Sequence, residues 1–584
     1  MPLFGFKPQK KTRLARAADI GASMTFSGRL KGTVRRRSVL FRLLLCLLSI
    51  VAMIVVTEAW QVPFQFRLGD HVEHGVLARV AFKQLNRVET NRARFEHGES
   101  AQPVYDVFER GTCLVEPGQV VDEDRLRLLR AEHEAVQDSM PLRDRLMRVV
   151  VVLVMLLILA FLIGYYLVKT ESLLVKSPGR LSLYFVAIVA AVALGRVLSF
   201  DPWRAEVIPL LVAVMVFTIA YDQAFATLTA FTLSLILTLS TVGTIGHFVL
   251  MMSVCATAVI GLPRVSSRST LIKVGFAAGV AYFVVACGNS VLQSASLDLL
   301  LADWSMWKGA LRGAGWCLAA GYLVAGSLPF IEAAYGVVTD ISLLELSDIS
   351  HPLLQELIRR APGTYNHSVT VATIGEAAAD AIGANGLLVR VGAYFHDIGK
   401  MLKPEYFVEN NLNDSQNRHS KLAPAMSTLI IIGHVKDGVD LAKQYNLPPR
   451  IIDFIEQHQG TTLVQFFFHE ATKQVGQQPD HRTDAEESRF RYPGPKPQSK
   501  ETAVMLLADA VESASRTLSD PTPKRIETLV HKIVMNRLLD GQLDESGMTL
   551  TELKTVEESL TKSLIGIYHG RIKYPEPVVE EKTA

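Results

Sequence analysis

Cysteine is scarce in this chain. Its 584 residues include five, Cys46, Cys113, Cys255, Cys287 and Cys317, with no CxxC pair and none after Cys317. That excludes a disulfide framework and a thiolate zinc site, so a metal site in the C-terminal part must be built from histidine and carboxylates. A surplus of one charge is also missing. The formal net charge of +3 gives no electrostatic case for a nucleic-acid polymer as partner. Internal repeats and low-complexity tracts are absent too.

Apolar residues, by contrast, are plentiful: they make up 49% of the chain, and they concentrate before about residue 340. Residues 1–38 carry ten Lys or Arg and one acid, Asp19. The run Leu40–Val56 follows, apolar except for Arg42, which can snorkel to an interface. A cleaved secretory signal is the alternative, but the basic lead is long and no A-x-A site follows. Residues 58–148 are polar. Apolar stretches then recur near 149–168, 181–198, 205–220, 223–241, 244–262, 271–292 and 309–335, each near the ~20 residues of a spanning helix.

The pattern predicts one span at 39–57, an extracytoplasmic segment at 58–148, a seven-helix membrane domain at 149–335 and a cytoplasmic domain at 336–584. The Lys/Arg bias orients it. The basic stretch 1–38 falls inside, as do Lys169, Lys176, Arg180, Arg264, Arg268 and Lys273, while Gln293–Trp307 lacks Lys and Arg and falls outside. Asp222 and His247 are the ionisable residues deepest in the apolar region, and both read as loop-end residues, which argues against a transporter. In the external segment, "VVDEDRLRLLRAEHEAV" (120–136) predicts a helix capped by Asp122. "GTCLVEPGQVV" (111–121) predicts short strands around a Pro-Gly turn. A small α+β sensor and a spacer both fit.

From about Ile341 the chain reads as helices joined by short loops, and ten of the fifteen histidines lie at or after His351. Candidate ligands are His367 in "PGTYNHS", His396-Asp397 in "GAYFHDIGK", His434 in "IIIGHVKDG", His458 in "IEQHQGTT" and Asp509 in "MLLADAVESASR". All but the first follow an apolar helical run. Imidazole and carboxylate without thiolate suit Fe, Mn or Zn. One Asp can bridge two cations about 3.5–4 Å apart, a spacing that clamps a phosphate. Residues 471–500 read as a long polar loop within the domain.

These motifs resemble the HD superfamily of metal-dependent phosphohydrolases, and more closely the seven-transmembrane-receptor HD-domain family of bacterial cyclic di-AMP phosphodiesterases. "RAPGTYNHS" (360–368), "IGANGLLVRVGAYFHDIGKMLKPEYFVEN" (382–410), "IIIGHVKDGVDLA" (431–442), "QHQGTTLV" (457–464), "RYPGPKPQSKETAVMLLADAVESASRTL" (491–518) and "DGQLDESGMTLTEL" (540–553) carry the likeness. The fold class it implies is all-α: a polytopic helical membrane domain plus an all-helical cytoplasmic HD domain, with a small α+β extracytoplasmic segment.

The resemblance implies two divalent ions, Mn2+ or Fe2+. His367, His396 and Asp509 would complete one, His434 and His458 the other, with Asp397 bridging. It implies hydrolysis of cyclic di-AMP to linear pApA by a metal-activated hydroxide, Asp397 and Lys400 as catalytic residues, and Lys400 and Tyr394 as substrate contacts. The implied setting is a bacterial cytoplasmic (inner) membrane with both termini cytoplasmic. Implied partners are the cyclic dinucleotide, membrane lipid, a signal ligand for the extracytoplasmic or membrane domain, and a second copy in a homodimer. Cyclic di-GMP or another nucleotide as substrate, and a catalytically weak nucleotide-binding receptor, are the competing readings. Three departures stand out. The external segment is short. Gln459 stands where the family has a second histidine. "NDSQNRHSKLAP" (413–424) replaces an Asn-Pro-His-Asp run, leaving His419.

Overall fold

The computed structural model describes residues 37–569 apart from 71, 73–74, 98–101, 171–173, 175–176, 242, 264, 294–303, 412–417 and 477–486. The expectations for residues 1–36, Lys176, Arg264, most of the 293–307 loop and residues 413–417 lie outside the described residues. The chain divides into two compact units, with the break after Ile331.

The first unit opens with α1 (Arg37–Val56). A small mixed segment follows: β1 (Val76–Leu77), β2 (Phe82–Leu85), α2 (Arg87–His97), β3 (Tyr105–Phe108), β4 (Cys113–Val115) and α3 (Glu123–Ser139). The strands form two antiparallel pairs, β1 with β4 and β2 with β3. Asp122 caps α3 by accepting from the Arg125 amide at 2.8 Å, as its position just before an amphipathic run predicts. Leu126 and Leu129 of that helix are buried with Phe82, Val115 and Val121 in a core of the segment's own.

The strands around Pro117-Gly118 differ from the expected hairpin. The turn is there, with Gly118 at φ +81°, a conformation open to glycine at low cost. But β4 pairs with β1, while the Val72 amide donates to Gln119 O at 3.0 Å and the Val121 amide to Asp70 O at 2.9 Å. Partners some forty residues upstream win because they build one shared core, which a two-stranded ribbon alone cannot.

Seven apolar helices follow: α4 (Leu142–Lys169), α5 (Pro178–Leu198), α6 (Val207–Ala220), α7 (Gln223–Ser240), α8 (Ile245–Gly261), α9 (Arg268–Gln293) and α10 (Trp304–Tyr335). Among the described residues six helices, α1 included, are long and apolar enough to cross a membrane; α6 and α8 are shorter. At 1.5 Å per residue the 14-residue α6 rises about 21 Å, less than the ~30 Å hydrocarbon layer. Its residues are nearly all buried inside the bundle, from Val207 to Thr218. Small residues bring α9 and α10 together: a Cβ on Gly275 would meet the Cα of Gly321 at 2.9 Å. Close backbone approach of this kind is how helices associate where the hydrophobic effect offers little. Asp222 caps α7 and also accepts from the Tyr166 hydroxyl at 2.8 Å, and His247 lies in the first turn of α8.

The second unit is built of helices, with loops and one isolated β-bridge, Leu463 with Arg491, among its described residues: α11 (Asp340–Leu346), α12 (Pro352–Arg360), α13 (Pro362–Ala381), α14 (Gly386–Phe395), α15 (Pro424–Gln444), α16 (Pro449–Gln457), α17 (Gln465–Gly476), α18 (Lys500–Ser515), α19 (Pro523–Leu539) and α20 (Leu550–His569). Prolines at the first helical position start α12, α13, α15, α16 and α19, where the missing N–H costs nothing. Ser499 and Thr502 form a reciprocal cap on α18, and the helix beyond is buried nearly all round, from Ala503 to Val511.

Two cores flank α14. One joins α13, α18, α19 and α20 through residues such as Val371, Leu506, Val530 and Leu560. The other joins α11, α12 and α16 through Leu343, Leu357, Ile451 and Ile455. Because α14 serves both, its C-terminal end is fixed from two sides. The part of the expected loop after residue 486 is structured: Arg491 pairs with Asp540 at 2.9 Å and Tyr492 is buried.

Candidate metal centre

Five helix ends or inner faces deliver polar side chains to one buried point. His396 and Asp397 follow the last residue of α14. His367 comes from α13, His434 from α15, His458 from the end of α16 and Asp509 from α18. All six are buried, with His396 at 0% and Asp397 at 1% exposure. Unpaired burial of this kind costs several kcal/mol per charged group, so the arrangement demands compensation.

Asp397 is the centre, and its two oxygens face different neighbours. Oδ2 lies 3.1 Å from His396 Nε2 and 3.6 Å from His367 Nε2. Oδ1 lies 3.3 Å from His434 Nε2 and 3.5 Å from His458 Nε2. Asp509 Oδ1 is 3.0 Å from His367 Nε2.

Backbone carbonyls settle which ring nitrogens carry protons. His396 Nδ1 donates to Ala393 O at 2.7 Å, His434 Nδ1 to Ile431 O at 2.6 Å and His458 Nδ1 to Ile455 O at 3.0 Å. A carbonyl only accepts, so in the neutral ring each Nδ1 holds the hydrogen and each Nε2 presents a lone pair inward. His434 and His458 then point two lone pairs at each other across 3.1 Å, with Asp397 Oδ1 beside both. His396 Nε2 and Asp397 Oδ1 are buried without a hydrogen-bond partner among the described residues. Acceptors converging with no donor among them fit divalent cations and little else.

His367 is aimed differently. Its Nδ1 bonds Glu512 Oε2 at 2.6 Å, and Glu512 is gripped by Arg516 one turn on, at 2.6 Å. Burial disfavours the imidazolium, but hydrogen bonds to Asp509 and Glu512 outweigh it and push His367 up to about 10. Burial likewise opposes the Asp397 charge, yet His396 and Lys400 beside it hold the carboxyl well below the usual range. Lys400 stands one turn after Asp397, its ammonium 2.7 Å from Oδ2 and 2.9 Å from Glu409 Oε1. Burial lowers its pKa, and the two carboxylates more than restore it.

The other sequence candidates fall out as follows. Among the described residues Tyr394 makes no hydrogen bond to the cluster. It is half-buried against both cores, because two residues before His396 is the opposite side of a helix. Gln459 lies at the site after all: its amide donates to Asp509 Oδ2 at 2.9 Å. His419 bonds Tyr406 O at 2.9 Å and lies beside Phe467. Sequence reasoning missed Glu512, Glu409 and Tyr492, whose ring lies 6.1 Å from that of His434. Glu512 had one signal, its position a turn after Asp509 on the same helix.

Comparison with known proteins places the chain. An HD domain model matches residues 364–514, and a model for a 7TM receptor with intracellular HD hydrolase matches residues 146–339. Over 527 residues the chain is 34% identical to the cyclic-di-AMP phosphodiesterase PgpH of Bacillus subtilis (strain 168), which covers 88% of this chain and 71% of that protein. The chain belongs to this family of 7TM receptors with an HD hydrolase domain. It is therefore an HD-domain hydrolase and a multi-pass membrane protein. PgpH of Listeria monocytogenes is 34% identical over 494 residues, covering 84% of this chain and 66% of that one. The chain thus spans about two thirds of these relatives' length. Two crystal structures of the L. monocytogenes PgpH HD domain, the second in complex with cyclic-di-AMP, are 45% and 46% identical, covering 38% of this chain and 100% of theirs at a TM-score of 0.35.

Proposed function

We propose that this HD hydrolase is a membrane-anchored phosphodiesterase that cuts cyclic di-AMP to linear pApA, in a bacterial cytoplasmic membrane with both termini cytoplasmic. The activity named for the Bacillus and Listeria relatives supports the substrate. The observation that carries the chemistry is the division of Asp397, one oxygen toward His367 and His396 and the other toward His434 and His458. Two ions, Mn2+ or Fe2+, would be held by His367, His396 and Asp509 on one side and by His434 and His458 on the other, with Asp397 shared.

Bound there, such ions supply a water nucleophile at neutral pH and Lewis acidity at a phosphoryl oxygen. The protein's own groups do the rest. Ala393, Ile431 and Ile455 carbonyls fix three imidazoles in the tautomer that offers Nε2. Glu512 fixes the fourth, and Gln459 ties the outer oxygen of Asp509. Lys400 keeps Asp397 ionised and adds positive charge beside the position of a substrate phosphate, a role that stabilises charge developing on the leaving 3′ oxygen.

The test uses the full chain in detergent with Mn2+, offered cyclic di-AMP and cyclic di-GMP in parallel. The expected result is pApA from the first and little from the second, with Asp397→Ala inactive. Turnover retained by Asp397→Ala would sink the catalytic assignment. Preference for cyclic di-GMP would sink the substrate, and tight binding without turnover would leave a receptor.

A further inference from the structure

We infer that the first unit carries a binding site for an anionic amphiphile, where the segment after α1 meets α3 and the ends of α4, α5 and α7. A cavity of about 490 Å³ lies there, within the ~300–1,000 Å³ range of small-molecule sites. Its walls differ in chemistry. One is apolar, made by Val151, Met155 and Leu159 of α4 with Ile236 and Leu239 of α7. Positions 151, 155 and 159 recur every four residues and so line one face of α4.

The polar part of the lining is mostly cationic, with Arg67, Arg130, Arg148 and Arg196 beside Glu58 and Asp201. Most of these charges are already matched. Arg67 pairs with Glu206 at 3.2 Å, Arg196 with Glu58 at 2.9 Å and Asp201 with Arg204 at 2.6 Å. Among the described residues Arg130 and Arg148 have no carboxylate partner; Arg130 has the Phe64 ring at 6.0 Å. Two exposed guanidinium groups without a carboxylate partner among the described residues therefore border a cavity whose lining continues along α4 and α7 as hydrocarbon.

An inorganic anion would use the arginines and leave the apolar trough wet. A neutral hydrocarbon would fill the trough and leave the arginines unmatched. A carboxylate or phosphate head on a single acyl chain satisfies both, since guanidinium binds either head in bidentate fashion. The geometry agrees. From Arg148 to Leu159 α4 rises about 16 Å, enough for a medium-length chain. The run without charge begins at Val149 and lasts to Val168, so head and tail part where the helix itself turns from polar to apolar.

The experiment places the full chain in phosphatidylcholine nanodiscs and titrates dodecyl phosphate, with dodecanol and inorganic phosphate as controls, by calorimetry. Saturable binding of dodecyl phosphate is expected, at least tenfold weaker in Arg130→Gln/Arg148→Gln. Arg130→Lys/Arg148→Lys should bind within about threefold of the parent, which separates lost charge from lost fold. Equal binding by the glutamine double variant overturns the site. Dodecanol or inorganic phosphate binding as tightly as dodecyl phosphate overturns the ligand class. Competition by phosphatidylglycerol added to the disc would assign the ligand to the membrane, and its absence to a water-soluble amphiphile.

Discussion

The imidazole of His367 is the one whose aim depends on a replaceable side chain. Three other histidines are oriented by carbonyls one turn back on their own helices, which no substitution removes. His367 relies on Glu512, 2.6 Å away and itself buried. Glu512→Ala leaves a buried Nδ1–H without an acceptor, a loss of ~1–3 kcal/mol. For an outer-shell partner of a metal-binding histidine, such a change typically lowers metal affinity or activity by about 10–100-fold, or ~1.4–2.7 kcal/mol. Glu512→Gln keeps an acceptor oxygen and the shape but drops the charge, so its effect should be smaller, roughly severalfold. The assay is Mn2+ affinity of the purified chain by chelator competition, read beside the Mn2+ concentration that half-saturates turnover. The expected order of affinity is parent, then Gln, then Ala, with both readouts moving together. If the alanine variant binds Mn2+ as tightly as the parent, His367 is not oriented by Glu512 and the reasoning fails.

Gly399→Ala should unfold the centre, because a Cβ there would overlap the His434 carbonyl oxygen and approach the Gly438 amide. A loss of roughly 1–3 kcal/mol or more is expected, read as a lower Tm for the HD unit. Removing divalent ions with a chelator should also lower that Tm, since the buried lone pairs on His396, His434 and His458 then lack a partner, and Mn2+ should restore it. Leu357→Ala removes a fully buried side chain and should cost about 2–5 kcal/mol, visible in denaturant midpoint with Mn2+ affinity unchanged in the folded fraction.

Much of the centre was legible because each candidate ligand except His367 closes or interrupts an apolar helical run. A polar residue at such a place, as His396 and His458 are, either faces water at a helix end or faces a site, and six together favour the second. Glu512 was not legible for the converse reason. A glutamate on a helix is ordinarily solvated, and only the tertiary placement of α18 against α13 turns it inward. Gln459 has a partner that the sequence did not show. Read against the family it was a missing histidine, whereas in the structure its amide bonds Asp509. Tyr394, two residues before His396, packs against both cores, since neighbours two apart on a helix face different ways. In the first unit, the turn at Pro117-Gly118 was readable from local chemistry, but the strand partners were not, because they are set by a core gathered from residues 64 to 135.

Gly399 has one more implication. With no side chain between the turn after Asp397 and the backbone of α15, Asp397 and His434 are spaced by main chain alone. The two halves of the centre are in effect one mechanical part. A displacement of α15 would move His434 and, through the close approach at Gly399, press on the turn that follows Asp397.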